Sequence, residues 1–143
     1  MATMLLLTYA LRNADCHAKN LALLYTHNDD VHLAPAYDMI TTAAYPDYQN
    51  NPPGIAFMGK KTWLPGKSLP RFITATFGLS LRDQNDIVEQ IAVAMAEAGP
   101  MVREAMQQHP EFADIGKRML LIWQEGIAGL RDKRIYDLPE NGR

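Results

Sequence analysis

Three side chains near the start of this chain have the types and spacing for phosphoryl transfer: Asp15, Asn20 and Asp38. Moving a phosphoryl group to a hydroxyl takes a carboxylate that orients the hydroxyl and accepts its proton. It also takes an amide oxygen on one metal ion and a second carboxylate on the Mg²⁺ that bridges the nucleotide phosphates. Asp15 suits the first role, Asn20 the second and Asp38 the third. Two of them lie in Asn13-Ala14-Asp15-Cys16-His17-Ala18-Lys19-Asn20, and the third ends Leu33-Ala34-Pro35-Ala36-Tyr37-Asp38. The same residue types also stabilise turns by local hydrogen bonding, so a helix-ending Asx turn is the alternative reading.

His17 and Lys19 fall between Asp15 and Asn20. His17 either braces the loop by hydrogen bonding or takes part in the chemistry. Lys19 is close enough in sequence to reach a transferred phosphate, the alternative being an ordinary solvated lysine. Cys16 has no resolving thiol, which disfavours a redox role. A zinc site from Cys16, His17, His27 and His32 would need a ligand-pair spacing that the sequence does not show.

The elements around these residues explain how they could meet. Ala2 to Arg12 is apolar or small at almost every position, so a helix here has no polar face and must be covered on all sides. Asn13 stands where a left-handed residue could end that helix, which leaves Asp15 in the loop beyond. Leu21-Ala22-Leu23-Leu24-Tyr25 and Val31-His32-Leu33 flank the polar cluster Thr26-His27-Asn28-Asp29-Asp30, the pattern of a β-hairpin. Such a hairpin would hold Asn20 at its start and Asp38 just past its end.

Between Met39 and Leu69, Pro46, Pro52, Pro53, Gly54, Gly59, Pro65 and Gly66 leave room for little beyond a brief strand at Ile55 to Met58. A loop of this length usually has a function, and Lys60, Lys61 and Lys67 could meet phosphate or an acidic substrate, or form a solvated basic face. The rest reads as helical. Leu69 to Phe77 ends at Gly78, and Ser80 with Asp83 resembles an acidic capping box. Ile87, Ile91 and Met95 recur at helical spacing until Gly99-Pro100, which is expected to break the helix. A new helix then starts with Met101, Val102 and Met106. After His109-Pro110, Ile115, Met119, Ile122, Trp123, Ile127 and Leu130 trace one face of a last long helix. Pro139 to Arg143 is expected to fray.

Taken together, the D-x-H-x-x-N form with its preceding Asn13, the apolar strand after it and the L-A-P-A-Y-D ending resemble the HipA-like serine/threonine kinases, the toxin component of bacterial toxin–antitoxin pairs. Asp15 and Asn20 also keep the separation of the Asp and Asn of the protein-kinase catalytic loop. The resemblance implies a mainly α fold, the helical carboxy-terminal lobe of a protein-kinase-like protein with a small β-hairpin carrying the catalytic loop. That lobe would span residues 1–138, with a disordered tail over 139–143. Asp15 and His17 are then the catalytic pair, Lys19 contacts nucleotide, and Asn20 and Asp38 hold Mg²⁺ beside ATP.

For the complete family, the resemblance implies protein substrates of the translation machinery and a helix-turn-helix antitoxin as partner. It covers only the end of the family's chain. The phosphate-covering loop and the nucleotide-contacting Lys lie upstream in the family, so a weak or inactive kinase awaiting a complementary amino-terminal lobe is the expectation. Two other classes stay open: a non-catalytic module that binds an antitoxin or a kinase amino lobe, and a phosphotransferase acting on a small molecule or lipid.

Composition limits the field further. At 143 residues with 48% hydrophobic content, one domain can bury a core without disulfides. A net charge of −2 gives no electrostatic footprint for nucleic acid or an anionic membrane. The single cysteine fits a reducing compartment, and Met4 to Leu11 is too short to span a membrane and lacks the flanks of a leader, so the reading is cytoplasmic. Where the missing lobe would dock, near the hairpin and first helix, an apolar surface and a partner or homo-oligomer are expected.

Overall fold

The computed structural model describes residues 1–27, 29–63 and 68–131. Lys67 and the tail at 139–143 lie outside them. The chain is mainly helical, with one small antiparallel sheet.

α1 (Ala2–Leu11) is the axis of the molecule. Leu5, Leu6, Tyr9 and Ala10 are buried, and only Thr3 is exposed. A helix that is apolar all round holds its place only by being covered, and α3 (Leu81–Gln108) and α4 (Ala113–Leu130) cover it. The approach of α4 is close enough that a methyl group added at Gly126 would run into the Ala10 carbonyl oxygen.

α1 ends one residue earlier than the sequence suggests. Arg12, not Asn13, takes the left-handed conformation, with φ 53°. The amides of Arg12 and Asn13 bond back to the carbonyls of Tyr9 and Thr8, a Schellman closure. Arg12 tolerates this conformation because its guanidinium lies 5.2 Å from the Tyr9 ring centroid and 5.1 Å from that of Trp63. Asn13 is thereby released to turn its side chain inward.

β1 (Leu23–His27) and β2 (Asp30–Leu33) form the expected hairpin, with a bulge between Tyr25 and His27. Thr26 Oγ1 donates to Asp30 Oδ2 near its tip. Cross-strand pairs Leu23–Leu33 and Tyr25–Val31 put four apolar side chains on one face. All four are exposed, Tyr25 at 70%.

The segment after Asp38 is more ordered than its prolines and glycines imply. A short 3-10 turn at Thr42–Ala44 packs beside α4, and a second at Pro46–Tyr48 packs against the first. The strand expected at Ile55 to Met58 is a single bridge, Phe57 with Lys60, closed by Met58 and Gly59 at φ 50° and 77°. Positive φ at both central residues is the type I′ pattern, so the chain reverses before a strand can extend. Phe57 anchors this turn in the core, 5.7 Å edge-on to Phe72 of α2 (Ser68–Phe77). Gly78, at φ 67°, follows α2 as expected.

Gly99-Pro100 does not break α3, which runs 28 residues from its Ser80–Asp83 capping box to Gln108. Pro100 is exposed, and so is Ala96, whose carbonyl loses its amide partner to the ring. That carbonyl belongs to an exposed residue, open to hydrogen bonding by solvent, and α3 packs along α4. Arg131 fastens the end of α4 to α3 through two bonds to Glu89, of 2.9 and 3.0 Å. No described helix is long and apolar enough to cross a membrane.

Candidate active site

The loop after α1 and the segment after β2 meet through side chains. Asn20 is buried and Asp38 exposed, and Asn20 Nδ2 donates to Asp38 Oδ2 at 2.7 Å. Asn20 Oδ1 accepts the His17 amide at 3.0 Å. That donor fixes which end of the amide faces Asp38, since a flipped amide would oppose donor to donor. His17 closes the turn reciprocally, its Nδ1 accepting the Lys19 amide at 3.2 Å. The imidazole is therefore a cap for the 3-10 turn Ala18–Asn20 and holds the residues on either side of it in place.

Asp38 itself has φ 57°, one of three non-glycine residues with positive φ among those described. Asp tolerates that conformation better than most residues, at a cost of about 1–2 kcal/mol. The segment is held in it from outside. Tyr37 donates its hydroxyl to the Lys19 carbonyl at 2.9 Å, and the Asp38 carbonyl accepts from Asn13 Nδ2 at 3.1 Å. Backbone strain maintained by surrounding bonds is a recurrent feature of ligand sites.

Asn13 is the residue the sequence pattern understates. It is fully buried, its Nδ2 reaches Asp38, and its Oδ1 accepts the Asp15 amide at 3.0 Å. One side chain thus ties the Asp15 loop to the Asp38 backbone. The Asx turn from Asn13 to Asp15 is legible in Asn13-Ala14-Asp15; the bond across 25 residues is not. Thr42 adds a second tie, its Oγ1 accepting from the Ala14 amide at 2.7 Å and donating to the Arg12 carbonyl at 2.9 Å. Gly54 lies against the other side of the loop, where an added Cβ would stand 2.5 Å from the Cys16 carbonyl oxygen and 2.9 Å from that of Ala14.

Asp15 is exposed at the turn of this loop, on the rim of a cleft of about 680 Å³. Its carboxylate makes no hydrogen bond to Asn20 or Asp38 among the described residues. Lys19 is exposed and carries no ion pair among them. Cys16 is buried beneath the loop. No group of three or more His, Cys, Asp or Glu side chains placed to hold a metal occurs among the described residues. Neither Lys60 nor Lys61 lines the Asp15 cleft.

Fold and site define a class: a mainly helical domain in which a helix-terminal loop and a post-hairpin segment bring a buried amide against an exposed carboxylate. The family model of the HipA-like C-terminal domain matches residues 1–99, and the chain belongs to that family. The match takes in α1, the hairpin, Asp38 and α2, and it ends inside α3. No curated protein and no solved structure matches the chain.

Proposed function

We propose that this chain is the catalytic-loop half of a HipA-like serine/threonine phosphotransferase. The observation that carries the reading is the 2.7 Å contact of Asn20 with Asp38, braced by Asn13. The exposed carboxylate of Asp38 suits Mg²⁺, which keeps several waters and binds protein through one or two carboxylates. Asp38 Oδ1 accepts no hydrogen bond among the described residues, and Asn20 Oδ1 keeps a second lone pair beyond the His17 amide. Magnesium–ATP would supply the phosphoryl group and a cation that offsets phosphate charge.

The chain's own residues do the rest. Asp15, exposed on its loop, orients the acceptor hydroxyl and takes its proton. Asn20 and Asp38 would hold the cation, His17 keeps Asn20 and Lys19 in register, and Lys19 would offer its ammonium to phosphate. Catalysis of this kind is mostly positioning, and here it falls to Asn13, Thr42 and Tyr37. Calorimetric titration with Mg²⁺–ATP tests the reading, and Asp38→Asn is expected to abolish binding.

A second reading, an interaction module, is favoured by the hairpin. Leu23, Tyr25, Val31 and Leu33 form an apolar face that no described element covers. Beside that face, Met1 and the Thr3, Met4 and Leu7 side of α1 line a groove against Leu33 and Pro35. We assign the hairpin face to the segment that completes the nucleotide site from outside these 143 residues. An uncovered face of this kind self-associates when its partner is absent. Sedimentation velocity is therefore expected to show concentration-dependent association that Tyr25→Ser with Val31→Thr removes. Because both side chains are exposed, folding stability should change by no more than about 0.5 kcal/mol per site. A strictly monomeric profile at high concentration would argue against this assignment.

A further inference from the structure

The cleft beside Asp15 is larger and more apolar than a hydroxyl requires. Its walls include Ile40, Tyr45, Tyr48, Phe112, Met119 and Trp123, and Asp15 is the one charged residue among those lining it. The far wall comes from beyond residue 99, where the family match ends. α4 is fixed there by Trp123 Nε1, which donates to Thr41 Oγ1 at 2.7 Å. Tyr45, Tyr48 and Ile40 are each more than two-fifths exposed, so the cleft opens to solvent along one side.

We infer that this cleft selects the substrate: it takes an uncharged, apolar side chain flanking the serine or threonine of a polypeptide, and so places that hydroxyl at Asp15. The inference rests on the phosphotransfer reading for the role of Asp15 and extends it to the substrate class. Two features favour a polypeptide. The apolar wall reaches the one carboxylate that handles a hydroxyl, so a single chain can occupy both. Among the described residues, the hydroxyls of Tyr45 and Tyr48 and the side-chain amide of Asn51 make no hydrogen bond within the protein, which leaves them for backbone amides between apolar side chains. With no positive group on the wall, the cleft offers nothing to an acidic flank, which directs selection away from the acidic substrate that Lys60 and Lys61 suggest.

The test uses the full chain and blocked heptapeptides with a central serine, flanked on both sides by leucine, by lysine or by aspartate. Binding is followed by tryptophan fluorescence. The leucine-flanked peptide is expected to bind at least tenfold tighter than the other two. The preference should vanish in the Ile40→Ser, Tyr48→Ser double variant, whose partly exposed positions spare the fold, while the Mg²⁺–ATP isotherm stays unchanged. Equal affinities, no saturable binding, or a preference that survives in the double variant would overturn the proposal. Saturable binding of indole with all peptides excluded would do so too, by assigning the cleft to a small ligand. Peptide preference without nucleotide binding would sink the phosphotransfer reading and leave the cleft a peptide site; nucleotide binding without preference would sink the cleft proposal alone.

Discussion

Asn13→Ala is expected to cost about 2–4 kcal/mol of folding stability and to abolish Mg²⁺–ATP binding together. The substitution removes two hydrogen bonds at a fully buried position and leaves the Asp15 amide and the Asp38 carbonyl without partners. An unpaired buried polar group costs about 1–3 kcal/mol, and for a domain of this size the sum should lower the melting temperature by roughly 10 °C. The two losses have one cause, because the same side chain that accepts the Asp15 amide also donates to the Asp38 carbonyl and holds that residue in its left-handed conformation. Asn13→Asp separates the bonds. It keeps an acceptor for the Asp15 amide and loses the donor to Asp38, so it should fail as badly in nucleotide binding. A variant that melted like the unsubstituted chain and bound Mg²⁺–ATP would show that the loop holds itself.

Gly54→Ala should be the second most damaging change, although Gly54 brings no side chain to the site. Its φ is not in the left-handed region, so the objection is purely steric. The new methyl would meet the carbonyl oxygens of Cys16 and Ala14, both backbone atoms that move only if the whole loop moves. Overpacking of this kind costs about 1–3 kcal/mol. Because the displaced atoms flank Asp15, the prediction is a split: a moderate loss of thermal stability and a large loss in any activity that depends on Asp15. Nucleotide affinity, set by Asn20 and Asp38 further on, should fall less. Equal loss of both would mean that the loop shifts as a unit.

Much of this arrangement is legible in the sequence because it is local. The apolar run of α1, the hairpin around Thr26 to Asp30 and the Ser80–Asp83 cap each follow from spacing and residue type within a few positions. The spacing of Asp15, Asn20 and Asp38 is also local, and the structure brings Asn20 and Asp38 into contact. What periodicity cannot show is the set of bonds between distant segments. Asn13 to Asp38 spans 25 residues, Thr42 to Arg12 spans 30 and Trp123 to Thr41 spans 82. These decide which backbone is held still, and they turn a loop full of prolines and glycines into a wall of the site.

Pro100 illustrates the opposite failure, in which a strong local rule loses to tertiary context. A proline inside a helix costs several kcal/mol when its missing bond is buried. In α3 the affected carbonyl belongs to an exposed residue, Ala96, and the packing of α3 on α4 outweighs the remainder. The same context hid the Asp15 cleft, since Met119 and Trp123 read as ordinary positions on the apolar face of the last helix until α4 is placed beside Thr41.

The central claim, that Asn20 and Asp38 form a usable cation and nucleotide half-site, is tested most directly by calorimetric titration with Mg²⁺–ATP, beside Asp38→Asn. Saturable, Mg²⁺-dependent binding that disappears in the variant is the predicted result. No binding to a chain shown to be folded, or binding that persists when Asp38 is replaced, would contradict it.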